Sequence, residues 1–228
     1  MRNIWFTIYT GSVNEYERIA NYRTLLELLL IPAIQDKLNR DKKVQKYMLM
    51  FSNNIENDDI KLFKDLHYEK KVADGIVNLY IATKNIDWNN LSEQDRKDFL
   101  IEKWKVLFNN LSDDYFVTDK SEVITSLEEL KNKDWKITNS PFKKKVKYNK
   151  ESYAVILDVT TERAQLALLR DSDGKRFKLK DYETCKISTD ANFKGFQLEG
   201  DTLTFVYKNF FNAMFESPAV FDLKDVVK

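Results

Sequence analysis

One histidine, His67, and one cysteine, Cys185, are the residues of this 228-residue chain best suited to nucleophilic or metal chemistry. Together they could form a nucleophile–base pair, in which the imidazole takes the thiol proton and the thiolate attacks. No local signature surrounds either residue, so a buried structural thiol and a surface histidine are expected. A structural zinc ion usually takes four such ligands, and no metal or cofactor is therefore expected. The run Asp171-Ser172-Asp173-Gly174-Lys175 contains a fragment of a calcium loop but lacks the further ligands and the terminal Glu at fixed spacing. With Asp158 it also supplies the acids and the Asp-x-Lys lysine of a metal-dependent nuclease. A tight hairpin turn is the expected reading of that run. The five glycines are too scattered to cradle a phosphate. Among 36 acidic residues no carboxylate pair stands out for acid–base catalysis. The chain is expected not to be an enzyme, with a cryptic enzyme lacking a recognisable motif as one alternative.

The strongest local feature is a lysine cluster, Lys143, Lys144, Lys145, Lys147 and Lys150, flanked by Phe142 and Tyr148. Three roles fit it. Lysines can follow a phosphate backbone while the aromatics stack on bases. They can dock an acidic protein. They can also form a solvated linker or an edge strand whose charge discourages edge-to-edge association. The overall balance, 37 Lys and Arg against 36 Asp and Glu, supplies no global field to reinforce binding to nucleic acid. A second feature is the aromatic series Phe205, Tyr207, Phe210, Phe211, Met214, Phe215 and Phe221. Alternation over 203–207 marks core. The run 209–215 carries apolar side chains on more faces than one strand buries, so Phe210, Phe211 and Phe215 are candidate partner contacts.

The elements that would position these residues change character along the chain. Residues 2–10 read as a strand, and Ser12 with Glu15 fits a capping box for a helix over about 13–39, kinked or divided at Pro32. Val44–Phe51 and Ile76–Thr83 read as strands. The stretch 59–72 suits either helix or strand, with strand slightly favoured, and Asp74-Gly75 signals a short hairpin. A helix starts at the Ser92 cap with an apolar stripe of Phe99, Leu100, Trp104, Leu107, Phe108 and Leu111. Another covers 121–132, capped by Ser121. After Pro141 the period becomes two, with strands at 152–160, 164–170, 176–180, 193–198 and 202–208 and turns at 172–174 and 199–201. Near residue 131 the charge changes from acidic to lysine-rich. These changes predict an α+β protein: an N-terminal α+β module over 1–140, with an antiparallel or mixed sheet and packed helices, then a mainly β module over 141–228. A single continuous domain is the alternative.

The apolar run Leu28–Ile34 is far shorter than the roughly 20 residues that span a bilayer, and no signal peptide is visible. One cysteine allows no internal disulfide, so a cytoplasmic protein without membrane partners is expected. Abundant Lys and Asn suggest an AT-rich bacterial genome. The strand Val77-Asn78-Leu79-Tyr80-Ile81 followed by the amphipathic Asp98-Phe99-Leu100-Ile101-Glu102-Lys103-Trp104 resembles the strand-then-helix layout of immunity proteins of bacterial polymorphic toxin systems. That resemblance implies neutralisation of a toxin by direct binding. The expected function is a non-enzymatic protein-binding module of this kind. The alternative is a nucleic-acid-binding protein using 143–150.

Overall fold

The computed structural model describes residues 4–10, 16–42, 44–52, 54–55, 61–63, 75–84, 86–208 and 219–228. The protein is α+β, and the chain divides into two compact units between Trp135 and Lys136, ahead of the 140/141 boundary expected from the sequence. Among the described residues the first unit holds four strands, β1 (Trp5–Tyr9), β2 (Lys46–Ser52), β3 (Lys61–Phe63) and β4 (Ile76–Ala82). Its α-helices among the described residues are α1 (Ile19–Ile34), α2 (Glu93–Asn109) and α3 (Lys120–Lys131). The sheet is mixed, in the order β1-β2-β4-β3, with β1, β2 and β4 parallel and β3 antiparallel to β4.

Alternation along β2 and β4 sends Tyr47, Leu49, Phe51, Leu79 and Ile81 to one buried face. Phe6 joins them from β1 and meets Trp104 of α2 edge-on at 5.9 Å, while Tyr47 contacts Phe108 at 5.3 Å. Burying each such side chain contributes about 1.5–3 kcal/mol, so this aromatic layer between sheet and helix is a large part of what holds the unit together. On β1, Trp5 and Tyr9 remain exposed.

Several local expectations need correction. Helix α1 begins at Ile19 after Arg18 in the left-handed region (φ 54), later than the expected start near residue 13. Ser12 and Glu15 lie outside the described residues. Pro32 does not divide α1. It sits in the last turn, and the chain tightens into a 3-10 turn at Gln35–Lys37. The pairing of β3 with β4 places Leu62 opposite Leu79. Asp74 and the residues before it back to 64, on which the expected Asp74-Gly75 hairpin depends, lie outside the described residues. Gly75, at φ 61, leads into β4, and its carbonyl accepts from the N–H groups of Gln45 and Lys46.

The Ser92 cap of α2 forms as expected, its hydroxyl accepting from the Asp95 N–H at 3.1 Å. Helix α3 is capped by Asp119 rather than Ser121, because the Asp119 carboxylate accepts from the Ser121 N–H at 2.8 Å. Hydrogen bonds from the Ser121 side chain and backbone hold the Asp119 carboxyl below its ordinary range. A lowered folded-state pKa gives stability that is complete above the unfolded value and lost as pH falls through the folded one. Amide exchange in the first turn of α3 should therefore accelerate below about pH 4 relative to Asp119→Asn, which lacks that titration.

The second unit is mainly β. One sheet contains β5 (Ile137–Asn139), β6 (Val146–Tyr148), β7 (Glu151–Val159), β8 (Ala164–Arg170) and β9 (Arg176–Tyr182). The strands run β5-β7-β8-β9, and β6 shares the β5 edge of β7. The other sheet is β10 (Phe193–Glu199), β11 (Thr202–Tyr207) and β12 (Ala219–Asp222), all antiparallel. Among the described residues two one-turn helices, α4 (Ile187–Asp190) and α5 (Leu223–Val226), also belong to this unit. Leu203, Phe205 and Tyr207 are buried in β11, and Phe205 lies 5.0 Å from Phe193. The turns at Gly174 (φ 69) and Gly200 (φ 59) use the positive φ that glycine adopts without strain.

Candidate functional site

The lysine cluster belongs to β6 and the segment before it. Residues 146–150 are not a linker: Val146 and Tyr148 are buried, at 1% and 8% exposure, and Lys147 between them points to solvent. Residues Asn149 and Lys150 join β6 to β7, with Tyr148 opposite Glu151. Both have positive φ, 49 and 66, as a two-residue type I′ hairpin requires. Asn tolerates that region, whereas Lys carries a Cβ penalty there. Replacing Lys150 by Pro, whose φ is fixed near −65°, should cost about 3 kcal/mol, whereas Lys150→Gly should be neutral or stabilising by about 0.5 kcal/mol. Urea denaturation of the two variants separates these outcomes.

The aromatics beside the lysines face the protein. Phe142 meets Phe196 edge-on at 5.5 Å and lies 6.2 Å from Phe205. Tyr148 donates its hydroxyl to an Asp201 oxygen at 2.8 Å. That hydrogen bond raises the Tyr148 phenol, while Lys224, 2.5 Å away, and Tyr148 together hold the Asp201 carboxyl below its usual range. Neither ring offers two free faces for a stacked base.

The lysines differ in their surroundings. Lys145 pairs with Asp171 at 2.7 Å, and the Lys144 ammonium sits 5.3 Å from the Phe196 ring centre. Among the described residues Lys143, Lys147 and Lys150 have no ion-pair partner. A groove of about 520 Å³ opens here, lined by Lys144, Lys145, Lys147, Ser152, Phe196 and Leu198. A second hollow of about 360 Å³ continues along Lys147–Ser152. Its volume places the larger groove within the roughly 300–1,000 Å³ of ordinary ligand sites. Two of its residues, Phe196 and Leu198, come from β10 and bring an apolar floor to a cationic wall.

The other sequence candidates separate. Asp158 is 7% exposed, accepts from the Thr138 hydroxyl and pairs with Arg176. Asp173 binds the Arg170 guanidinium and accepts from the Lys175 N–H at 3.0 Å, and the guanidinium holds its carboxyl well below the usual range. These contacts close the β8–β9 turn expected at 172–174. Among the described residues no group of three His, Cys, Asp or Glu side chains could hold a metal ion. Burial, and then Glu183, pushes the Cys185 thiol up, which disfavours the thiolate that nucleophilic chemistry needs. His67, Phe210, Phe211 and Phe215 lie outside the described residues. No helix among the described residues is long and apolar enough to cross a membrane.

Sequence reasoning missed Phe196 and Leu198 as part of the lysine site. Their alternation in β10 marked a strand, but nothing local linked them to residues about fifty positions earlier. It also missed Arg96, which is buried at 6% exposure. No family model, curated protein or solved structure matches this chain.

Proposed function

We propose that this chain is a non-catalytic module that binds another protein, and that it presents the lysine groove of the second unit to an acidic surface of that partner. An immunity protein that neutralises a toxin by direct binding is the form of this reading that the layout of Val77–Ile81 and Asp98–Trp104 suggests. The observation that carries the proposal is the groove itself, where Lys144 and Lys147 stand over the apolar Phe196 and Leu198. Unneutralised ammonium groups beside an apolar floor give both orientation and desolvated contact to a carboxylate-bearing chain. The inward-facing rings of Phe142 and Tyr148 favour protein over nucleic acid, because stacking supplies much of the affinity for single strands.

Titration with a 20-residue poly-glutamate and a 20-nucleotide single-stranded DNA, both fluorescently labelled, tests the reading. The peptide is expected to bind, and the triple variant Lys143→Gln, Lys144→Gln, Lys147→Gln should weaken it at least tenfold. Submicromolar DNA binding at physiological salt, lost in the same variant, would transfer the groove to nucleic acid.

A further inference from the structure

The groove runs beside two strands whose outer edges have no neighbour in their own sheets among the described residues. Among the described residues β10 is the terminal strand of its sheet and pairs only with β11, while β6 pairs only with β7. Which main-chain groups point outward follows from the ladders. The Leu223 N–H donates to the Asp201 carbonyl, and Leu203 stands opposite Phe221, so the odd positions of β11 bond to β12. The even positions then bond to β10, at Glu199 and Gln197. Phe196 and Leu198 consequently direct their N–H and C=O away from the sheet.

The same reasoning applies to β6. The Asp171 N–H donates to the Ser152 carbonyl, so Ser152 bonds toward β8. Lys147, opposite Ser152, directs its N–H and C=O away from β7. All three outward-facing residues line the groove. Among the described residues their outward main-chain groups have no hydrogen-bond partner.

Unpaired main chain along a groove is a template for another strand. The lysines decide which strand. A second copy of this edge would bring Lys144 and Lys147 against like charges, a repulsion that excludes self-pairing. An acidic strand meets the opposite charge at the same positions. We propose that the groove receives an extended acidic segment of the partner protein as an added β-strand on the free edge of β10. Its main chain bonds to Leu198 and Phe196, and its carboxylates pair with Lys144 and Lys147. This inference rests on the reading of the groove as an acidic-protein site and adds to it the mode of capture.

The test uses the full chain and a heptapeptide of alternating Glu and Val, with a second version N-methylated at every other residue on one strand edge. Methylation removes main-chain donors and keeps every carboxylate. The unmodified peptide is expected to slow hydrogen exchange at the amides of Phe196 and Leu198 at least tenfold, and the methylated peptide to bind at least tenfold more weakly. On the protein side, Leu198→Pro should abolish binding, because it removes an outward donor without costing a β11 ladder bond. Leu198→Ala, which keeps that donor and trims only the apolar floor, should weaken binding less than Leu198→Pro. Equal binding of both peptides, still sensitive to Lys144→Gln and Lys147→Gln, would overturn strand addition and leave the acidic-protein reading standing. No binding of either peptide would overturn both, and tighter binding of the oligonucleotide than of the peptide would do the same.

Discussion

Trp104→Ala is expected to lower the unfolding free energy by about 3–5 kcal/mol. The side chain is 1% exposed and among the largest fully buried ones. It touches Phe6 of β1 edge-on at 5.9 Å and stacks on Phe108 one turn along α2 at 6.0 Å. Removing it leaves a cavity between sheet and helix that neither rigid element can close. Domains of this size have about 5–15 kcal/mol in total, so the midpoint of thermal unfolding should fall by roughly 10–20 °C. The indole Nε1 has no acceptor among the described residues, and an orphaned buried donor offsets part of the packing gain. Trp104→Phe removes that donor and should cost only about 1–2 kcal/mol. Chemical denaturation distinguishes the pair, and a loss below about 1 kcal/mol for the alanine variant would refute this packing.

The second large effect is expected at Arg96. Its guanidinium donates to the carbonyls of Trp88 at 3.1 Å and Asn89 at 3.0 Å, and reaches the Glu17 carboxylate at 3.4 Å. It also lies 5.6 Å from the Trp88 ring centre, and the Trp88 indole in turn donates to the Glu17 carbonyl at 2.8 Å. One side chain thus ties the approach to α1, the turn Trp88–Asn90 and the start of α2. Arg96→Met keeps the apolar stem and leaves two carbonyls without a donor, which should cost about 2–4 kcal/mol. Glu17→Gln should change stability little, because that carboxylate is half exposed and well screened. If Glu17→Gln costs as much as Arg96→Met, the ion pair rather than the carbonyl fork holds this corner.

What sequence alone determined here is what neighbouring residues settle among themselves. The Ser92 cap and the Phe99–Leu111 stripe set α2, because capping and helical periodicity act within one or two turns. Alternation located β7, β8, β10 and β11, and Gly174 and Gly200 marked their turns, since a positive φ needs no distant partner. Even local signals conflict when two candidates compete. Asp119 and Ser121 could each cap α3, and the geometry of entry into the helix chose the aspartate. Asn149-Lys150 makes a type I′ turn without glycine, so its signal was too weak to separate β6 from a lysine-rich linker.

Tertiary structure alone decided the pairings between distant residues. The antiparallel register of Leu62 with Leu79 is one of them, because strand pairing joins residues that no local signal links. Arg96 looks like any surface arginine until the carbonyls of Trp88 and Asn89 close over it. The lysines of 143–147 carry only a charge in sequence. They become the wall of a groove when Phe196 and Leu198 arrive from β10 with unpaired main chain, because a concave surface and a free sheet edge are properties of an assembled fold.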